Sequence, residues 1–144
     1  MIDFSKWILW EERGDFELKH YPGIYMISIT DKNLHGLKVD YKDVVYIGMT
    51  NSRKGLCGRW KQLDNTIKGK EGHNGGRTIR SKLGPYDDWN KKLFVCAKAV
   101  ACEVKRNKRT PEDLRIMGKI ACLEYEALAE FKEITGTEPE YNKQ

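Results

Sequence analysis

The stretch PGIYMISITDKNLHGLKVDYKDVVYIGMT, from Pro22 to Thr50, decides how this chain is read. Its first apolar run, Gly23–Thr30, alternates. Ile24, Met26 and Ser28 fall on one side, and Tyr25, Ile27 and Ile29 on the other. A period of two is the mark of a strand, and this pattern predicts a half-buried one. The second run, Val44–Thr50, predicts a second strand, with the polar, glycine-containing residues 31–43 as a long hairpin connection. Each run carries a tyrosine close to an isoleucine and a glycine: Gly23-Ile24-Tyr25 in the first, Tyr46-Ile47-Gly48 in the second.

Upstream, residues 1–21 hold Trp7, Ile8, Leu9 and Trp10 and read as a short helix or an apron packed on the main body. Downstream, Asn51, Ser52 and Gly55 form a loop, after which Leu56, Trp60, Leu63 and Ile67 recur at helical spacing over about 56–68. The glycine-rich bend EGHNGG (71–76) precedes a short helix over Arg77–Leu83, stopped by Gly84-Pro85. Leu93–Val100 is a third strand. Thr110-Pro111-Glu112-Asp113 is a helix start, with a capping threonine, proline at the first helical position and acidic residues against the helix dipole. That helix runs to about Ile134 and ends at Thr135-Gly136. The order β-β-α-α-β-α predicts an α+β fold: a small, about three-stranded, mostly antiparallel sheet flanked by helices.

With 144 residues and no linker or repeat, the chain reads as a single domain over 1–144. It has no long apolar run and no leader pattern, so neither a membrane span nor a signal peptide is expected. Cys57, Cys96, Cys102 and Cys122 lack the close pairs of a zinc site and read as reduced thiols of a cytoplasmic protein. The formal net charge of +5 suits an anionic partner, of which nucleic acid is the commonest.

The two tripeptides on consecutive strands resemble the signature of the GIY-YIG nuclease family, and further residues follow in the family's order. Arg59, in GRWKQL, lies on the helix after the second strand, where the family keeps an arginine. His73 falls where several homing and restriction branches carry a histidine, and Asn142, in PEYN, matches the closing Pro-x-x-Asn pattern. The last helix offers Glu124, Glu126, Glu130 and Glu133. Glu124 is the candidate for the family's metal-binding glutamate, because Ile120, Ala121, Ala127 and Leu128 give it apolar neighbours one turn away on both sides. The resemblance covers about residues 22–142. Three departures stand out: the connection between the tyrosines (26–45) is long, closer to the restriction-enzyme branch, Met49 stands where many members have lysine, and the gap from Glu124 to Asn142 is longer than in the repair branch. Arg53 and Lys54 are candidates for the missing cation.

What the resemblance implies is a divalent-metal-dependent endonuclease hydrolysing DNA phosphodiester bonds, of restriction type or from a mobile element. Glu124 would hold one Mg²⁺ or Mn²⁺ ion through oxygen. Arg59 would clamp the scissile phosphate, and one of Tyr25 and Tyr46 would take the nucleophile's proton. His73 would move a proton or touch phosphate, and Asn142 would hold the site together by hydrogen bonds. Arg53, Lys54, Lys61, Arg77 and Arg80 are candidate contacts to the backbone of double-stranded DNA. The run Lys105, Arg106, Lys108 and Arg109 is either another such contact or a solvated loop. Cutting both strands would call for a homodimer. The alternative, favoured by Met49, is a nucleic-acid-binding module of the same fold with catalysis lost.

Overall fold

A computed structural model of the chain describes residues 1–70 and 72–142. Glu71, the first residue of the expected glycine-rich bend, and Lys143 and Gln144, the last of the expected domain, lie outside the described residues. The architecture is α+β, with four strands rather than three: β1 (Ile8–Leu9), β2 (Gly23–Thr30), β3 (Tyr46–Thr50) and β4 (Lys92–Ala99). They lie in the order β1-β4-β2-β3, each neighbouring pair antiparallel. The helices are α1 (Gly55–Ile67), α2 (Asn74–Leu83) and α3 (Pro111–Thr135). Among the described residues no helix is long and apolar enough to cross a membrane.

The extra strand comes from the segment expected to be a helix or apron. Ile8 pairs with Val95 and Leu9 with Phe94, on the edge of β4. The run Trp7-Ile8-Leu9-Trp10 alternates as a strand must. Trp7 and Leu9 pack with one core, Ile8 and Trp10 with the other, before a 3₁₀ turn over Trp10–Asp15.

β2 lies between β4 and β3, so it is buried on both faces over Gly23–Ser28 rather than half-buried. On one face Tyr25 and Ile27 join Leu56, Trp60, Leu63 and Ile67 of α1 and Ile79 of α2. On the other, Met26 joins Ile47, Phe94, Cys96 and Ala127 and Phe131 of α3. Each large side chain so buried contributes about 1.5–3 kcal/mol, and both cores depend on this one strand.

Caps fix the helix ends. Asp113 N–H donates to Thr110 Oγ1 and Thr110 N–H to Asp113 Oδ2, a reciprocal box at the start of α3. Gly136, with φ +85°, closes it. α2 begins at Asn74, three residues before the expected Arg77, because His73 caps it: Gly76 N–H donates to His73 Nδ1 at 3.0 Å. Gly75 and Gly76, read as part of a bend, are thus in the first turn of a helix, and Gly72 alone remains in the bend.

Candidate functional site

Strand register puts the two tyrosines together. Tyr25 pairs with Gly48 and Ile27 with Tyr46, so both tyrosines stand on the α1 face as diagonal neighbours, ring centroids 6.1 Å apart. Gly48 is what allows this. A Cβ there would lie 2.7 Å from Cζ and Oη of Tyr25 and 2.9 Å from Cε2 of Tyr46. Gly75 does the same from α2, where a Cβ would come within 2.5 Å of Tyr46 Cε1. Tyr25 is fully buried, edge-on to Trp60, whereas Tyr46 is partly exposed.

His73, itself buried, brings its ring to both phenols: Nε2 lies 3.0 Å from Tyr25 Oη, and the ring centroid 5.7 Å from that of Tyr46. Burial, with help from the charges of Arg59 and Arg77, lowers its pKa to about 4, so the ring is neutral near pH 7. Nδ1 accepts from Gly76, which leaves the proton on Nε2, and Tyr25 Oη is the acceptor. Tyr25 keeps its own proton to give. Burial raises both phenols, Tyr25 well above the usual value.

Arg59 sits on the second turn of α1 and pulls against that burial, lowering Tyr25, Tyr46 and Glu124 alike. One terminal N–H donates to Gln62 Oε1 at 3.0 Å. Its Nε is buried with no hydrogen-bond partner among the described residues. A buried donor left unpaired costs about 1–3 kcal/mol, a cost that a bound anion would remove. Arg59 and Gln62 line a concavity of about 270 Å³ with Met49, Thr50, Asn51 and Ser52.

Glu124 reaches this site from the other side of the sheet. α3 packs on the face opposite α1, but β3 is an edge strand, and the half-buried carboxylate acts electrostatically on Tyr46 and Arg59. Burial raises its pKa and Arg59 opposes the rise. Its rivals are placed otherwise: Glu130 accepts from the Tyr41 hydroxyl at 2.7 Å, and Glu126 and Glu133 are exposed. Among the described residues no three His, Cys, Asp or Glu side chains cluster as a metal cage. A lone oxygen donor is compatible with a hard divalent cation that keeps water and phosphate as its other ligands.

Asn142 works on the backbone. Its Oδ1 accepts from Ile47 N–H at 2.9 Å and its Nδ2 donates to Ile47 C=O at 2.8 Å, completing the open edge of β3 between Tyr46 and Gly48. Asn51, which the sequence marks only as a loop residue, is a further tie. Its Nδ2 donates to the Met117 carbonyl at 3.1 Å, joining the exit of β3 to α3 two turns ahead of Glu124. Nothing local in the sequence signals that reach.

The candidate backbone contacts divide. Arg53 and Lys54 are exposed beside the site, ahead of α1. Arg77 and Arg80 line a concavity of about 360 Å³ at the far end of α1, with Thr66, Gly69, Lys70 and Ser81. Arg77 bonds Asn74, and Arg80 Nη1 donates to the Ile67 carbonyl, capping α1. Lys61 is not brought to the tyrosines. It lines a larger concavity, about 610 Å³, where Arg13 and Asp64 pair at 3.4 Å and Trp10 Nε1 donates to Asp64. Those charges are spent on one another, so the smaller hollow beside Arg59 is the better candidate. No family model, curated protein or solved structure matches this chain.

Proposed function

We propose that the chain is a metal-dependent endonuclease of the GIY-YIG type, hydrolysing phosphodiester bonds of double-stranded DNA, of restriction or mobile-element kind. The observation that carries this reading is the grouping of Tyr25 on β2, Tyr46 on β3, His73 at the start of α2, Arg59 on α1 and Glu124 on α3 within contact or electrostatic reach of one another, with Arg59 lining a small open hollow beside them. Two adjacent phenols, a neutral histidine bonded to one of them and a half-paired arginine near a lone carboxylate are an uneconomical way to build a core. They suit the handling of a proton and a phosphate.

In this reading Arg59 receives the scissile phosphate, its unpaired Nε and remaining terminal N–H groups supplying planar donors to the non-bridging oxygens. Tyr46 is the proton acceptor. It is the more exposed of the two phenols, whereas the Tyr25 hydroxyl is buried and already accepts from His73. Tyr25 and His73 position it and steady its anion. Glu124 would hold Mg²⁺ or Mn²⁺, whose bound charge would favour a phenolate and spread the charge developing on phosphorus. Asn142 and Asn51 fix β3 and α3 so that Tyr46 and Glu124 keep their spacing.

A Glu124→Ala variant tests this. It should retain salt-dependent affinity for duplex DNA while losing Mg²⁺-dependent cleavage. Cleavage at the wild-type rate by that variant would sink the assignment.

A further inference from the structure

Chain topology gathers a second group of cations that the tyrosine site does not use. β3 and β4 flank β2 and both run antiparallel to it, so their last residues, Thr50 and Ala99, both pair with Gly23. The two exits therefore leave the same end of the sheet about 10 Å apart, two strand spacings. From one comes Arg53, and from the other the turn at 105–108, closed by Lys108 N–H donating to the Lys105 carbonyl at 2.9 Å. Arg53, Val104, Lys105, Arg106 and Asn107 together line a concavity of about 440 Å³.

The charges in it are uncompensated. Arg53, Lys105 and Arg106 are exposed and none makes an ion pair or side-chain hydrogen bond among the described residues. The nearest acids in sequence are occupied by backbone. Glu103 Oε2 accepts from Val104 N–H and Lys105 N–H at 3.0 and 3.3 Å. Asp113 accepts from Glu103 N–H and Thr110 N–H. Three like charges from loops fifty residues apart repel one another, and holding them around one hollow has no stabilising role within the chain. Ser52, the residue before Arg53, lines the hollow at Arg59, so the two concavities are lined by neighbouring residues of one loop.

We infer that Arg53, Lys105 and Arg106 form a seat for a backbone phosphate of duplex DNA flanking the bond that is cut. The inference rests on the nuclease reading for the word "cut", but the seat itself is a binding site that stands without catalysis. The basic run ahead of α3 is then a DNA contact and not a solvated loop. The concavity at Arg77 and Arg80 lies at the opposite end of α1, about 20 Å away by helix rise. DNA laid along α1 would meet the seat first and the tyrosines next.

The test measures affinity for a fluorescent mixed-sequence duplex against salt, between about 50 and 200 mM. The Glu124→Ala protein, which keeps the DNA intact, serves as the parent, and Lys105→Ala/Arg106→Ala is added to it. The charge-matched control is Lys91→Ala/Lys92→Ala, at the far end of β4 where Lys92 pairs with Thr30. The seat variant should bind about tenfold more weakly, with a log–log salt slope shallower by about one to two. The control should change little, and thermal melting should be unaltered in both. A slope equal to that of the control overturns the seat, even if the wild type cleaves DNA. A shallower slope alongside a wild type that never cleaves supports the seat and removes the nuclease reading. Absence of salt-dependent binding in every variant overturns both.

Discussion

His73 Nε2 stands 3.0 Å from the hydroxyl of Tyr25, and it can only donate there, because its other nitrogen is taken by the backbone of Gly76. That single polarity separates two tyrosines that look equivalent in sequence. Tyr25 is held inside the core by that bond, and the more exposed Tyr46 is left as the phenol for proton transfer in the proposed reaction.

Tyr46→Phe should therefore be the more damaging substitution. It removes the accepting oxygen, and single-turnover cleavage should fall by about 100-fold or more. Tyr25→Phe removes only the buried partner of His73 and should cost about tenfold, with DNA affinity kept in both. The reverse ranking would assign the base to Tyr25.

His73 also makes stability depend on pH. Its pKa is lowered from the ordinary 6.5 to about 4, so between these values the unfolded chain binds a proton that the folded one refuses. The contribution is complete above about pH 6.5 and disappears as pH falls toward 4, a loss of about 3 kcal/mol. Urea unfolding of wild type and His73→Asn, compared at pH 7 and pH 4.5, should show a smaller loss in the variant, whose shorter amide can still cap α2. Equal losses would contradict the assignment.

Gly48→Ala drives a methyl group to 2.7 Å from the Tyr25 ring and 2.9 Å from that of Tyr46. Overpacking of this kind costs about 1–3 kcal/mol. A lowered Tm together with a changed near-ultraviolet tyrosine signal is the expected result.

Asn142 is bonded to Ile47 through both ends of its amide. Asn142→Ala should cost about 1–3 kcal/mol in denaturant unfolding. Asn142→Asp should do no better at neutral pH, since its second oxygen would face the Ile47 carbonyl. Full recovery by aspartate would show that only the acceptor matters.

Glu124 carries a charge that burial disfavours and Arg59 only partly supports. With its folded pKa raised, the ionised form weakens the fold at neutral pH. Glu124→Gln should melt above the wild type in EDTA. Added Mg²⁺ should raise the wild-type Tm and leave the variant unmoved. A variant that responds to Mg²⁺ like the wild type would remove Glu124 as the metal ligand.

The two long strands were legible because a period of two is visible in Gly23–Thr30, and α3 because Thr110, Pro111 and Asp113 announce a start that Gly136 closes. β1 was not, since two residues are too short a run to show a period and its pairing depends on β4. The start of α2 was hidden by glycines that the sequence marks as a bend. Their purpose, making room for Tyr46 and Thr66, exists only in three dimensions. The separation of Lys61 from the tyrosines has a related reason. Lys61 is two residues from Arg59, and on a helix that turns it to another side. The grouping of Arg53 with Lys105 and Arg106 depends on strand order, which no local pattern carries.

The measurement that bears most directly on the account is incubation of the purified protein with supercoiled plasmid and Mg²⁺, beside an EDTA control. The account predicts nicked or linear DNA with the metal and intact plasmid without it. Plasmid that stays supercoiled under Mg²⁺ or Mn²⁺, while the protein binds it, would contradict the account and leave a DNA-binding module in its place.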